Sequence, residues 1–253
     1  MAFKIAAKRP RNDFVLVEAW GREKSGKTFW AMTAPAPIYF FNFDKGYDRV
    51  EKYMLKNSDT IPIDPPFVER YSHELISVAD YSGQVNEDAV KLVDDTNAEA
   101  LLKEFEKDWL DMLRREPGGT AIIDTGTILW NLASQVLQRK APANQSWIQY
   151  TYRNEFFRRL LVQARESGKN VVFLHHDTDI YNSEGNISGQ KAQGDKLISR
   201  GADVICRSTS VKNKKGGRPD YILKIEDCGL DSSHTGMELT NSTWDDLMDL
   251  VNP

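Results

Sequence analysis

Cysteine is nearly absent from this chain. Its 253 residues hold two, Cys206 and Cys228, with no CxxC spacing. That excludes a disulfide framework and a zinc cluster as the source of its stability. Charge of one sign is lacking too: 33 Lys and Arg stand against 37 Asp and Glu, a net −4. The molecule as a whole therefore has no strong pull toward nucleic acid or anionic membrane, and any such binding must come from a local basic patch. No apolar run approaches the roughly 20 residues of a membrane span. The opening residues, MAFKIAAKRPRND, hold too short an apolar stretch for a signal peptide, so the expected location is the cytoplasm. Internal repeats and low-complexity tracts are also missing.

What is present is ordinary in amount, 40% hydrophobic and 28% charged, and informative in order. The length suits one large α/β domain, here taken as a single domain over residues 1–253 with an N-terminal arm (1–12) and an irregular insertion (57–95). Short apolar runs read as buried strands at 14–19 (FVLVEA), 38–43 (IYFFNF), 120–124 (TAIID) and 170–175 (NVVFLH), with another strand around Leu75 to Val78. Helical spacing of apolar residues fills 97–115, then about 128–138 and 149–166, and a short helix is expected from Lys27 to about Met32. Residues 177–194 are polar, contain Gly and show no apolar period, which predicts a long mobile loop. A strand at 203–207 follows, then hairpin strands at 208–212 and 221–226 and a last one near 237–240. Alternating strands and helices indicate a mostly parallel sheet flanked by helices, with antiparallel hairpin strands at the C-terminal end.

One motif is specific. Gly21-Arg22-Glu23-Lys24-Ser25-Gly26-Lys27-Thr28 fits GxxxxGK[ST] at each fixed position and lies between a predicted strand and a predicted helix. Glycines let such a loop turn its N–H groups inward on phosphates. Lys27 supplies charge to the β- and γ-phosphates of ATP, the Thr28 hydroxyl is a ligand for Mg²⁺, and the helix N-terminus faces the same anion. Asp124, at the tip of the strand TAIID, is the expected second magnesium partner. Asp44, in FNFDKG after the next strand, is placed to orient and deprotonate an attacking water. His175 and His176 end the strand after Asp124; one, His175 slightly ahead of His176, can touch the γ-phosphate while the other packs in the core, since neighbours on a strand face opposite sides.

In this order the residues GREKSGKT, FDKG, AIIDTGT and NVVFLHHD resemble the RecA-type P-loop ATPase core, and most nearly the bacteriophage RecA-like nucleotide-binding proteins that include single-strand-annealing ATPases. The resemblance implies an ATP- and Mg²⁺-dependent hydrolase that works on single-stranded DNA in recombination, replication or repair. It implies a homo-oligomer, ring or filament, with a single-strand-binding protein as a further partner. It places DNA contacts in two segments, one with Arg139, Lys140 and Trp147, the other with Tyr181 and Lys191. Cations for phosphates and an aromatic ring for base stacking suit single strands. Two features depart from the family pattern. In the C-terminal hairpin strand LKIEDCG, Glu226 and Asp227 stand where the family would carry cations toward a neighbour's site, which leaves Lys224 and the basic turn Lys212, Lys214, Lys215 and Arg218 for that task. At the N-terminus no separate domain is expected, and Phe3–Ala6 keeps only the spacing of a subunit tether. A small P-loop kinase using Arg153, Arg158, Arg159 and Arg165, and a nucleotide-binding regulatory module without turnover, stay open as alternatives.

Overall fold

The computed structural model describes residues 14–50, 76–84, 95–137, 146–212 and 219–251. Its ten strands are β1 (Leu16–Trp20), β2 (Ile38–Asn42), β3 (Ile76–Asp80), β4 (Thr120–Asp124), β5 (Asn170–His175), β6 (Asp177–Tyr181), β7 (Ile187–Ala192), β8 (Val204–Val211), β9 (Asp220–Cys228) and β10 (Glu238–Thr240). Eight form one sheet in the order β10-β9-β8-β1-β5-β4-β2-β3. The pairings from β8 through β3 are parallel, and β8–β9 and β9–β10 are antiparallel. The expected architecture, a mostly parallel sheet flanked by helices with antiparallel strands at the C-terminal end, is the observed one.

Burial explains why the central strands read as unbroken apolar runs. Every residue of β1, β2, β4 and β5 is buried, as parallel strands covered on both faces must be. Helices α2 (Asp95–Leu113), α3 (Gly126–Leu137) and α4 (Ser146–Glu166) cover one face. Leu101, Phe105, Trp109, Leu129 and Phe157 pack there with Phe41, Ile123 and Phe173. On the other face, α1 (Lys27–Ala31) and α6 (Trp244–Val251) place Trp30, Trp244 and Leu247 against Val17, Ala19, Phe40 and Val172. Helix α5 (Lys196–Gly201) leads into β8.

Two elements depart from the sequence reading. Helix α6 was not anticipated, although its signal is local. Thr243 and Asp246 cap each other, the Asp246 carboxylate accepting from the Thr243 N–H at 2.7 Å and the Thr243 hydroxyl accepting from the Asp246 N–H at 3.3 Å. This is the reciprocal capping arrangement that opens an amphipathic helix. The second departure is residues 177–192, which are not an irregular loop but the antiparallel hairpin β6–β7, a separate two-stranded sheet. The Asn182 side chain accepts from the N–H groups of Glu184 and Asn186, which closes its turn. The hairpin carries no buried strand residue, so no face of it shows the apolar alternation that announces a strand.

Candidate active site

The parallel strands deliver the candidate groups to one edge of the sheet. The loop after β1, the turn after β2, the last residue of β4 and the residues ending β5 all emerge at carboxyl ends, where ligands bind open α/β sheets. Strand β5 lies between β1 and β4, so the His175-His176 pair stands between the phosphate loop and Asp124.

Within the loop, Gly26 has φ +92° and a side chain there would meet the Tyr221 ring at 2.5 Å. The Ser208 hydroxyl donates to the Ser25 carbonyl at 2.7 Å. Strands β8 and β9 thus pack directly on the loop from outside. Arg22, Glu23 and Lys24 are exposed, whereas Ser25 and Lys27 are buried. The Lys27 ammonium donates to the carbonyls of Gly21 and Arg22 at 2.7 and 2.8 Å. Burial holds its pKa below the ordinary lysine value, and the charges of Asp124 and Asp44 oppose that shift.

The Thr28 hydroxyl donates to Asp124 Oδ2 at 2.7 Å. Asp124 is buried, and its pKa is pushed up to about 7 by burial first and the Asp44 charge second. Asp44 stands at the same point. Its carboxylate accepts from the Gly46 N–H at 2.9 Å and meets Arg49 at 3.2 Å and His176 Nε2 at 3.7 Å. Burial alone would raise its pKa, but the nearby His176 ring and the Arg49 charge overcome it and hold the group below the ordinary value.

The match to known families follows this geometry. The model of the AAA domain matches residues 15–235, most of the chain. The chain belongs to the AAA domain family. No curated protein matches it. Among solved structures, a KaiC-like protein of the hyperthermophilic archaeon Pyrococcus horikoshii OT3 is similar at 13% identity, with a TM-score of 0.47, over 89% of this chain and 84% of that one.

A P-loop ATPase domain implies nucleotide and magnesium, and the residues present fit both. A hydroxyl and a carboxylate already meet at hydrogen-bond distance, with a second carboxylate beside them. Among the described residues there is no cluster of three or more His, Cys, Asp or Glu arranged for a metal. The Thr28 hydroxyl and the Asp124 carboxylate, 2.7 Å apart, are the kind of oxygen pair that suits magnesium, which takes one or two protein ligands and the rest from phosphates and water. Among the described residues no helix is long and apolar enough to cross a membrane.

The remaining candidates fall in several places. His176, and not the slightly favoured His175, stands at Asp44; the His175 ring is fully buried because its side of β5 faces the core. Tyr181 and Lys191 are exposed on the hairpin of this AAA domain. Trp147 falls in the first turn of α4, and Arg139 and Lys140 lie outside the described residues, as do Phe3, Ala6, Lys214, Lys215 and Arg218. Three of the four α4 arginines hold structural partners, and Arg158 is exposed. Arg153 pairs with Asp195 at 3.4 Å, Arg159 with Glu106, and Arg165 with Asp203 at 3.3 Å. Nothing in that set forms a lid over the phosphate loop.

Two residues of the site were not read from the sequence. Gly46 has Asp124 and Asp44 against it so closely that a Cβ would lie 2.0 Å from Asp124 Oδ2. Glu18 is buried in the middle of β1, 3.6 Å from His175 Nε2; a lone charge inside FVLVEAW was its available signal. Burial pushes Glu18 from 4.5 up to about 7, partly offset by a hydrogen bond with Ser199. Folded protein therefore keeps this proton up to about pH 7, while the unfolded chain releases it near 4.5. Wild type loses stability as pH rises through that window, by about 3 kcal/mol. Glu18→Gln cannot ionise, so it should gain that much relative to wild type between pH 4.5 and 8. Urea unfolding of both proteins at the two pH values measures it; an unchanged difference would show that Glu18 is charged in the fold.

Proposed function

We propose that this AAA domain hydrolyses ATP with Mg²⁺ and couples the hydrolysis to single-stranded DNA, as a phage-type RecA-like protein of recombination, annealing, replication or repair. The observation that carries the reading is the convergence of Lys27, Thr28, Asp124, Asp44 and His176 on one point at the carboxyl edge of the sheet. Magnesium, when bound, draws charge from the β- and γ-phosphate oxygens. With nucleotide bound, Lys27 would exchange the Gly21 and Arg22 carbonyls for phosphate oxygens, and Thr28 and Asp124 would hold the cation. Asp44 orients the attacking water and accepts its proton. His176, paired to Asp44, stands where a change at the γ-phosphate reaches a side chain.

The DNA part rests on the family resemblance and on the hairpin. Tyr181 is 62% exposed and Ile187 60% exposed at its tip, and Lys191 is exposed on β7. An aromatic and an apolar side chain offered to solvent at the tip, with one cation four residues further along β7, suit stacking on unpaired bases. Arg139, Lys140 and Trp147 would add the second contact. The same resemblance supports a homo-oligomer, a single-strand-binding partner and a cytoplasmic setting. Purified, nuclease-free protein should hydrolyse ATP faster with single-stranded oligonucleotide, by about tenfold or more, within the range of strong coupling between two sites. Hydrolysis that ignores the oligonucleotide, together with no binding of it at low salt, would leave an ATPase without the DNA role. Nucleotide binding with no hydrolysis at all would instead favour a regulatory module.

A further inference from the structure

We propose that His175 is a positioning residue that ties the β6–β7 hairpin to the turn after Asp124, so that the hairpin responds to what the phosphate loop binds. The inference rests on the nucleotide-binding reading above and adds to it a route from that site to the hairpin.

The first observation is a slot shaped to one ring. A Cβ on Gly126 would lie 2.6 Å from His175 Cε1, and a Cβ on Gly194 would lie 2.4 Å from the same atom. These glycines belong to different elements. Gly126 opens α3, two residues after Asp124. Gly194 lies two residues beyond the end of β7. The ring is fully buried between them and stacks on Phe173 at 6.4 Å. No side chain fits at either glycine, and a close-packed ring cannot shift without moving its walls.

The second observation is the polar pattern around that ring. Its Nδ1 is 3.3 Å from the Gln193 carbonyl. A carbonyl only accepts, so Nδ1 carries the hydrogen and Nε2 is left as an acceptor, facing Glu18 at 3.6 Å. Burial holds the imidazole pKa down at about 3, so the ring is neutral and this tautomer stands. The hydroxyl of Thr127 fastens the same place from the other side. It donates to the Gln193 carbonyl at 2.6 Å and accepts from the His176 N–H at 2.9 Å. Meanwhile the His175 carbonyl accepts from the N–H of Gly21, the first residue of the phosphate loop, at 3.2 Å. One residue therefore touches the loop through its backbone, and both the Asp124 turn and the hairpin's end through its ring.

The hairpin needs such an anchor because its strands pair only with each other. Its other ties are lateral. Gln190 bonds Arg207 of β8, and Asp177 meets Arg22 at 3.6 Å, where Arg22 is 77% exposed. An exposed pair of that kind contributes little.

Hydrogen exchange over residues 177–195 of the full chain, with and without magnesium and a non-hydrolysable ATP analogue, tests the proposal. Nucleotide affinity and melting temperature are measured on each protein alongside. In wild type the analogue should change hairpin exchange by about fivefold or more, the lower range of site-to-site coupling. His175→Ala should bind the analogue and lose that response. Glu18→Ala, which removes the group facing Nε2, should lose it as well. Glu18→Gln keeps a polar group facing Nε2 and should keep the response, whereas Glu18→Leu fills the same space without one and should lose it, a difference that mere packing would not produce. If His175→Ala fails to fold, the Glu18 variants decide. A hairpin that stays silent in wild type with nucleotide bound overturns the proposal. So does a full response in His175→Ala or Glu18→Ala. A wild type that binds no nucleotide fails earlier, at the affinity measurement, and removes the reading beneath.

Discussion

Gly46→Ala should cut ATP hydrolysis by about 100-fold or more while leaving the protein folded. Local propensity points the other way. Gly46 starts a helical turn at 46–50, and alanine in a helix is favoured over glycine by about 1 kcal/mol. The cost is steric and falls on the site. The added methyl would overlap Asp124 Oδ2 at 2.0 Å and press on Asp44 Oδ1 at 2.9 Å. Asp124 cannot yield cheaply, because it is buried and bonded to Thr28 at 2.7 Å. The turn cannot yield freely either, since the Phe43 N–H is held by the Asp124 carbonyl at 2.6 Å. Relief means moving Asp44 and Asp124 apart by about an ångström, a misplacement that can cost about 100-fold in rate. Steady-state kinetics with magnesium titration, beside a melting curve, checks it. Wild-type turnover from Gly46→Ala would mean that Asp44 and Asp124 do not act together.

That glycine also shows what the sequence could and could not convey. Strands β1, β2, β4 and β5 were legible because parallel strands buried on both faces are short unbroken apolar runs. The loop Gly21–Thr28 was legible because phosphate binding demands fixed residue types at fixed spacing. Asp44 and Asp124 were found by position, each at the end of such a run. Gly46 was passed over because glycine after Asp-Lys reads as turn chemistry, and only coordinates show two carboxylates against it. The slot around His175 was invisible for the same reason: Gly126 and Gly194 are far apart in the chain and meet only through the ring. The hairpin has no strand signature in the sequence, because its stability comes from backbone pairing and the Asn182 turn, neither of which leaves a hydrophobic period. Of the two adjacent histidines, the sequence could say that they face opposite ways, but not which one stands at Asp44.

Asp44→Asn should lower hydrolysis by about 10²- to 10⁴-fold, the usual weight of a positioned general base, and leave ATP binding near the wild-type level. The substitution keeps the shape of the side chain and an oxygen to accept from the Gly46 N–H, now at 2.9 Å. It removes the charge that meets Arg49 at 3.2 Å and His176 at 3.7 Å. The direction of the pKa shift bears on where in that range the loss falls. Asp44 is held below its ordinary value, after burial is overcome, by the nearby His176 ring and the Arg49 charge. It is therefore ionised at neutral pH, ready to accept a hydrogen bond from water, but a weak proton acceptor while both partners hold it. A group that chiefly orients water gives the smaller loss. A group freed from Arg49 or His176 when nucleotide arrives becomes more basic and gives the larger one. Single-turnover rates of wild type and Asp44→Asn, with nucleotide affinity measured separately, distinguish these outcomes. Equal rates for the two proteins would remove Asp44 from the chemistry and leave the water to be oriented by some other group.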